Sequence, residues 1–328
     1  MAAYARIVST GRYLPKRRIT NEEFNRRYGQ DVGDWLEENV GIRARHVAAP
    51  DEVTSDLATH AGRQALQRAD VKPEDVDLLI VATDTPDYLS PATASVVQYK
   101  LGASNAGVFD LNNACAAFVT GLTIGSKYIM TEPARYRNVL VIGAYAMTKF
   151  VNWDDYKTAT LFADGAGAAL LQLSARPGFL SSAMEADGRY HDYMGIYVGG
   201  TYQVPSEESL AERYLVIAKR FPPDLNATHW PRLVRQVTEQ AGRTIDEINR
   251  IYFTQINLNI IKTVMTQLEL PLERTHWIMD KWGYTGSACV PMALDDHIAQ
   301  GKGPKPGDMV VFCASGGGYA MAAAAFNW

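Results

Sequence analysis

The chain repeats a pattern of helix end, acidic turn and apolar strand, and this repeat constrains its fold more than any other feature. The pattern begins at Ala69 and again at Ala241, 172 residues later. Three further pairs of similar segments follow in the same order. They are Val108–Asp110 with Ile278–Asp280, Leu140–Gly143 with Val310–Cys313, and Asp164–Ala169 with Gly316–Met321. Because the first three pairs lie at offsets of 170 to 172 residues, we predict two halves of similar architecture.

The strands of both halves are rich in Val, Ile and Leu, and helical stretches such as 55–69 and 231–241 separate them. Strands that are apolar throughout are typical of sheets that helices cover on both faces. We therefore predict an α/β fold with an N-terminal half over residues 1–175 and a C-terminal half over 176–328. No Ser/Gly-rich or Pro-rich linker divides them, so we expect the halves to pack as one body.

Composition excludes several classes of function. The net charge of −4 provides no electrostatic basis for binding nucleic acid, and no run of 18 apolar residues suggests a membrane span. The first residues lack the layout of a signal peptide. The three cysteines have no metal-ligand spacing, and their odd number favours a reduced, cytoplasmic location. We expect no metal site.

Cys115 is the candidate nucleophile. An apolar strand over 106–111 breaks at Asn112 and Asn113, and a helical pattern follows, so Cys115 is predicted at or beside a helix N-terminus. Backbone N–H groups and the helix dipole there would stabilise a thiolate, lower its pKa and bind an oxyanion. Position alone leaves open the alternative of a buried, inert cysteine.

The residues around Cys115 resemble the nucleophile motif of ketoacyl-ACP synthase III, a family with a duplicated thiolase fold. The motif here reads Asn-Ala-Cys-Ala-Ala-Phe. Three other segments resemble motifs of that family in the same order, so the resemblance covers nearly the whole chain. They are Trp35–His46, with Gly-Ile-Arg-Ala-Arg, Phe162–Ala168, with Asp-Gly-Ala-Gly-Ala, and Ser315–Tyr319, with Gly-Gly-Gly.

The resemblance implies mixed sheets and helices in a layered α-β-α-β-α arrangement, and a homodimer. It also implies that Cys115 accepts an acyl group, and that the backbone N–H of Gly317 joins that of Cys115 in an oxyanion hole. A glycine suits this role because it lets the backbone approach a substrate closely.

Two positions depart from the family pattern. Thr254 stands where the family's His-Gln-Ala-Asn motif has its histidine, and Tyr284 stands where the Gly-Asn-Thr motif has its asparagine. In the family this pair stabilises the enolate that forms when malonyl-ACP loses CO₂. Loss of one such hydrogen-bond donor typically costs ~10²–10³ in rate. The chain therefore resembles a divergent member in which standard decarboxylative condensation is doubtful and acylation of Cys115 remains feasible.

The resemblance also indicates residues for binding the acyl donor, which is acyl-CoA or an acyl carrier protein, with no covalently bound cofactor. Trp35 matches the tryptophan that stacks on the adenine of coenzyme A, and Asn257 matches the family motif. Tyr156 and Asn259 replace two arginines, which weakens phosphate binding.

The leading hypothesis is therefore an acyltransferase that loads Cys115 and passes the acyl group to an acceptor. The alternative is a non-catalytic thiolase-fold partner subunit or acyl-carrier-binding protein.

Overall fold

A computed structural model describes residues 3–209 and 212–328. The strands are β1 (Tyr4–Tyr13), β2 (Arg17–Thr20), β3 (Ala44–Val47), β4 (Leu78–Ala82), β5 (Gly107–Leu111), β6 (Asn138–Ala146), β7 (Asp164–Ser174), β8 (Phe179–Ala186), β9 (Met194–Gly195), β10 (Val216–Ile217), β11 (Ile248–Phe253), β12 (Met309–Gly316) and β13 (Ala320–Asn327). The α-helices are α1 (Asn21–Tyr28), α2 (Gly33–Asn39), α3 (Thr54–Arg68), α4 (Thr93–Leu101), α5 (Ala117–Thr131), α6 (Tyr156–Ala159), α7 (Leu225–Gln240), α8 (Leu258–Gln267), α9 (Met279–Trp282) and α10 (Cys289–Ala299).

Local sequence explains where several helices begin and end. At the start of α1, the side chains of Thr20 and Glu23 cap each other's backbone N–H groups. The helix ends at Gly29, whose φ of 63° is in the left-handed region that glycine adopts without strain. Asn257 caps α8 by accepting hydrogen bonds from the backbone N–H groups of Asn259 and Ile260.

Two sheets form the body of the protein. The first has the strand order β1-β7-β6-β4-β5, and the second has the order β11-β12-β13-β8. In the first sheet β6 pairs in parallel with β4 and antiparallel with β7. In the second sheet β12 pairs in parallel with β11 and antiparallel with β13. The two halves therefore have the same core topology, as the sequence repeat predicts.

One of the matches between segments of the two halves was wrong. Ile251 of the second half occupies the position of Ile80 in the first, because Ile80 pairs with Val141 and Ile251 with Val311. Ile80 pairs with Phe109 on its other side, whereas Ile251 pairs with Thr275. Thr275, and not Ile278–Asp280, is therefore the counterpart of the β5 segment. The connection from β11 to this counterpart is four residues shorter than the sequence repeat implied. Helix α9 therefore begins where a strand was expected.

The sheets and helices alternate in five layers, which confirms the predicted arrangement. Helices α3 and α4 cover the outer face of the first sheet, and α7 and α8 cover that of the second. Helices α5 and α10 lie between the sheets. The central hydrophobic core around α5 contains Cys115, so the candidate nucleophile lies in the middle layer.

The predicted boundary between residues 175 and 176 falls between β7, the last strand of the first sheet, and β8, the first in sequence of the second. The division into two domains stays a prediction. Within residues 3–209 and 212–328, no helix combines the length and apolarity needed to cross a membrane.

Candidate active site

Cys115 lies in the short connection between β5 and α5, two residues before the helix begins. The preceding residue, Ala114, has a φ of 44°, a strained conformation for a residue with a Cβ. The Asn112 side-chain oxygen accepts a hydrogen bond from the Ala114 N–H at 3.0 Å, which helps to hold this turn. The structure thus confirms the predicted position of Cys115 beside a helix N-terminus.

The predicted depression of the Cys115 pKa is wrong, because the thiol is buried. The residue is only 4% exposed, and its burial raises the pKa of the thiol well above the ordinary value. The nearby Asp84 carboxylate raises this pKa further, whereas a hydrogen bond from Tyr284 lowers it. Sequence reasoning considered the helix N-terminus but did not include the desolvation of the thiol.

The glycine turn after β12 lies directly against the nucleophile. A Cβ on Gly316 would lie 2.6 Å from the Cys115 backbone nitrogen and 2.7 Å from the Ala114 Cβ. Only glycine therefore fits at this position without displacing the nucleophile loop. Gly317 is less confined, because its nearest neighbour would be the Met194 carbonyl oxygen at 3.5 Å.

A cavity of about 250 Å³ brings together all four residues predicted to be catalytic: Cys115, Thr254, Tyr284 and Gly317. Most of its remaining lining is apolar. It consists of Met194, Ile217, Phe221, Pro222, Pro223, Leu225, Asn226, Ile256, Ile260, Ser315, Gly316 and Tyr319. The cavity is therefore suited to an acyl group or another slender apolar chain that reaches the Cys115 thiol.

Thr254 follows the last residue of β11 and is buried. Its hydroxyl accepts a hydrogen bond from the Ser315 N–H at 3.0 Å and lies 3.4 Å from the Ser315 carbonyl oxygen, to which it donates. The hydroxyl thus serves the turn that carries Gly316 and Gly317. Because both its hydrogen-bonding roles are taken, it is poorly placed to donate to a substrate carbonyl.

Tyr284 projects from a backbone segment that is fixed on both sides. Its N–H donates to Leu161 O at 3.0 Å, and its carbonyl accepts from the Ala163 N–H at 2.9 Å. The ring packs against Phe162 and Tyr145, with centroids 5.6 and 6.5 Å away. Burial, followed by the proximity of Cys115, raises the pKa of the Tyr284 phenol well above its usual value. The phenol is therefore a neutral hydrogen-bond donor near the thiol.

The predicted donor-binding residues Trp35 and Tyr156 line a second cavity, of about 610 Å³. Trp35 is 59% exposed, so its ring is accessible for stacking. Lys157 and Arg220 line the same cavity and supply positive charge that an anionic donor would require. Ile217 lines both this cavity and the one at Cys115, so the two adjoin.

The structure does not place Asn257 and Asn259 in either lining. Their side-chain amides donate hydrogen bonds to backbone oxygens at the end of α2, from Asn257 to Asn39 O and from Asn259 to Glu38 O and Asn39 O, each at 3.2 Å. These bonds attach α8 to α2. A role for the two residues in donor binding stays a prediction.

Sequence reasoning missed two residues of the site. Tyr145 lies near the end of β6, where its ring packs against Tyr284, and Asp84 lies two residues after the end of β4. After burial, the Asp84 carboxylate is the next cause that raises the pKa of Cys115 and of Tyr145. A carboxylate two residues after a fully apolar strand was the signal that could have indicated it. Within the described residues, no group of three His, Cys, Asp or Glu side chains is arranged to hold a metal ion.

Comparison with known proteins identifies the family. Residues 109–188 match the model for 3-oxoacyl-[acyl-carrier-protein (ACP)] synthase III, and residues 238–328 match the model for its C-terminal part. The chain is 36% identical over 328 residues to β-ketoacyl-[acyl-carrier-protein] synthase III of Methylococcus capsulatus, with 100% of both chains covered. It is 38% identical to the enzyme of the same name from Alkalilimnicola ehrlichii, with 99% of this chain and 100% of that one covered.

A crystal structure of 3-oxoacyl-[acyl-carrier-protein] synthase III from Aquifex aeolicus superposes with a TM-score of 0.87 at 31% identity. The match covers 99% of this chain and 100% of that one. Sequence and fold therefore agree over the whole length. The chain belongs to the 3-oxoacyl-ACP synthase III family of thiolase-fold acyltransferases.

Proposed function

We propose that this protein forms an acyl-thioester on Cys115 and passes the acyl group to an acceptor without the standard decarboxylation of a malonyl unit. The observation that carries the proposal is the cavity in which Cys115 meets the Gly316–Gly317 turn together with Thr254 and Tyr284. The backbone N–H groups of Cys115 and Gly317 form the oxyanion hole of this reaction.

The two side chains opposite the thiol support a reaction other than decarboxylative condensation. We propose that Thr254 and Tyr284 replace the histidine and asparagine of the family. The Thr254 hydroxyl bonds to the backbone of Ser315, and the Tyr284 phenol interacts with the thiol. Two donors directed at one thioester oxygen are therefore not available, and the enolate of a malonyl thioester would lack its usual stabilisation. The acceptor in this proposal is an amine, an alcohol, a stabilised carbanion or another thiol.

The acyl donor is an acyl-CoA or an acylated carrier protein, and it enters through the cavity of Trp35 and Tyr156. Both donors present a phosphate group and a long, slender thiol arm. The adjoining cavities suit this shape, with Lys157 and Arg220 at the outer one and Cys115 at the inner one. Asn257 and Asn259 act indirectly, by fixing α8 beside this route.

The functional unit is a homodimer in the cytoplasm. Tyr88, Leu89 and Tyr99 are large apolar or aromatic side chains that are more than half exposed. Exposed side chains of this kind support an interface between subunits. Light scattering of the purified protein should give twice the chain mass, and a monomer mass would refute the dimer.

Intact-protein mass spectrometry tests the proposed acylation. The protein is incubated with a panel of acyl-CoAs and acyl carrier proteins, with Cys115→Ala as the matched control. An added acyl mass that the variant lacks would support the proposal and identify the donor class. Malonyl-ACP is then added to the acylated protein, and CO₂ release at a rate typical of condensing enzymes would refute the decarboxylation-free reaction.

The alternative, a non-catalytic partner subunit that binds an acyl carrier, is favoured by one observation. Burial raises the pKa of the Cys115 thiol, as expected of an inert cysteine. The rate of alkylation by iodoacetamide at neutral pH separates the two functions. A partner subunit should show no acylation by any donor. Its Cys115 should also be alkylated no faster than Cys289 and Cys313.

A further inference from the structure

Asn226, in the first turn of α7, brings a polar side chain to the mostly apolar cavity at Cys115. Its Oδ1 accepts a hydrogen bond from the Ser315 hydroxyl at 2.9 Å and another from the Tyr319 hydroxyl at 3.2 Å. Both donors belong to buried residues. An amide oxygen has two lone pairs for hydrogen bonding, so these two bonds saturate Oδ1 and hold the side chain in one orientation.

The amide nitrogen of Asn226 remains available to a ligand. Within residues 3–209 and 212–328, Nδ2 donates no hydrogen bond to another residue, and it is not among the unpaired side-chain atoms that are shielded from solvent. Asn226 is partly exposed and lines the cavity. A few fixed polar groups in an apolar pocket are what usually orient a bound molecule, and Nδ2 supplies two N–H donors of this kind.

The bonds around Ser315 place this amide close to the nucleophile. The Ser315 N–H donates to the Thr254 hydroxyl at 3.0 Å, which fixes the backbone of the residue to which Asn226 bonds. The next residue, Gly316, approaches the nucleophile so closely that a Cβ there would lie 2.6 Å from the Cys115 backbone nitrogen. An oxygen substituent near the reacting carbonyl carbon is therefore better placed to meet Asn226 than one at the end of a long chain.

The charge of the cavity limits which oxygen can bind. Among the described residues that line it, none is a lysine, arginine or histidine. A carboxylate would have to lose its water there without gaining a counter-ion, which is costly. A neutral carbonyl or hydroxyl oxygen needs only a hydrogen-bond donor in exchange for water. The cavity therefore suits a neutral oxygen.

We propose that Asn226 determines specificity by donating from Nδ2 to a neutral oxygen on C3 of the acyl group that is loaded on Cys115. The inference deepens the proposed function and rests on it. The thioester carbonyl, C1 of the acyl group, occupies the oxyanion hole, and the C3 oxygen lies three bonds further along the chain. The acyl donor is accordingly a 3-oxoacyl or 3-hydroxyacyl thioester.

Four N-acetylcysteamine thioesters of similar acyl size test this specificity. They carry acetoacetyl, 3-hydroxybutanoyl, butanoyl and malonyl groups, and intact-protein mass spectrometry gives the rate at which each acylates Cys115. In the wild type, the faster of acetoacetyl and 3-hydroxybutanoyl should exceed butanoyl by about tenfold, the worth of one hydrogen bond, and it identifies the form of the oxygen. Malonyl should be the slowest of the four, because its C3 bears a carboxylate.

Asn226→Asp provides the decisive comparison, because it keeps the oxygen that accepts from Ser315 and Tyr319 but replaces the donor nitrogen. The ratio of the preferred oxygenated thioester to butanoyl should fall about tenfold in this variant. Intrinsic differences in thioester reactivity cancel when the ratio is compared with that of the wild type. A merely structural role would slow all thioesters alike and leave the ratio unchanged.

Asn105→Asp is the matched control. It makes the same chemical change at an exposed residue just before β5, at the end of that strand away from the nucleophile loop. The ratio in this variant should equal that of the wild type. Asn226→Ala, checked for folding by thermal unfolding, should lose the preference as Asn226→Asp does.

The outcomes separate the inference from the proposed function. If butanoyl acylates the wild type as fast as both oxygenated thioesters, or if Asn226→Asp keeps the wild-type ratio, the inference alone fails. Acylation by malonyl as fast as by the preferred neutral thioester would also overturn it. If none of these thioesters and no other donor acylates the wild type, the proposed function and the inference fail together.

Discussion

At the scale of single residues, the reactivity of Cys115 depends on Tyr284. The Tyr284 phenol lowers the Cys115 pKa by hydrogen bonding, and it thereby opposes burial and the Asp84 charge. Tyr284→Phe removes this bond while keeping the ring that packs on Phe162 and Tyr145. The Cys115 pKa should rise, and because each pKa unit reduces the thiolate population tenfold, alkylation by iodoacetamide at pH 8 should slow by about three- to tenfold.

Tyr145→Phe is the control for this prediction, because its ring belongs to the same aromatic cluster but the thiol has no hydrogen bond from it. The rate of this variant should stay close to that of the wild type. An unchanged or faster rate in Tyr284→Phe would mean that the phenol does not stabilise the thiolate.

Sequence patterns predicted the residues of the site better than their chemical states. The motifs indicated Cys115, Thr254, Tyr284 and Gly317, and the structure brings these four together in one cavity. The direction of the Cys115 pKa shift was wrong because it depends on burial, which short-range sequence does not reveal. The bonding of the Thr254 hydroxyl to Ser315 depends on the pairing of β11 with β12, two strands far apart in sequence.

At the scale of elements, the turn after β12 positions the loop before α5. Gly316 has extended backbone angles, with a φ of −141°, so alanine is conformationally acceptable there and only the contact with the Cys115 loop forbids it. Gly316→Ala should therefore displace the nucleophile and reduce acylation of Cys115 by at least about 10²-fold, since small displacements of this kind are costly to catalysis.

Gly317→Ala is the matched control, because its Cβ would have room and its backbone N–H would be retained. This variant should keep most of the acylation rate, measured by the same mass-spectrometric assay. Equal losses in the two variants would show that the close approach of Gly316 is not what limits substitution in this turn.

The order of the elements was more predictable from sequence than their register. The match of Leu140–Gly143 with Val310–Cys313 correctly identified β6 and β12 as equivalent strands. The match of Val108–Asp110 with Ile278–Asp280 was wrong by four residues, because the short apolar run at the start of α9 resembles a strand. Apolar runs of three residues occur in both helices and strands, so only pairing with a neighbouring strand distinguishes them.

At the scale of the whole molecule, ion pairs on α10 connect the two halves. Asp296 accepts hydrogen bonds from His276 Nε2 at 2.8 Å and Lys281 Nζ at 2.7 Å. Burial by itself would raise the Asp296 pKa, but these bonds and the positive charges of Lys281 and Arg12 outweigh it and lower the pKa to about 2. A depressed pKa stabilises the fold above the unfolded-state value and loses this effect as the pH falls toward 2.

The wild type should therefore lose stability between about pH 4 and pH 2 partly through protonation of Asp296. Urea unfolding measured across this range should show a shallower loss for Asp296→Asn, whose side chain does not titrate. The variant should be less stable than the wild type at pH 7, and parallel pH profiles for the two proteins would contradict the assignment.

Asp295 provides the stronger connection between the halves, because its carboxylate is fully buried and ion-paired with Arg12 of β1 and Arg68 of α3. It also accepts a hydrogen bond from the Thr10 hydroxyl at 2.7 Å. Asp295→Asn removes the carboxylate that pairs with Arg68 and one of the two that pair with Arg12. Loss of these contacts around a buried carboxylate should cost about 3 kcal/mol in the free energy of unfolding. Asp192→Asn breaks the exposed pair with Lys219 and should leave the free energy of unfolding almost unchanged. If the halves unfold as one body, denaturant should unfold both variants in a single transition, with the midpoint of Asp295→Asn clearly lower. A second transition in Asp295→Asn would mean that this residue couples two units that are otherwise independently stable.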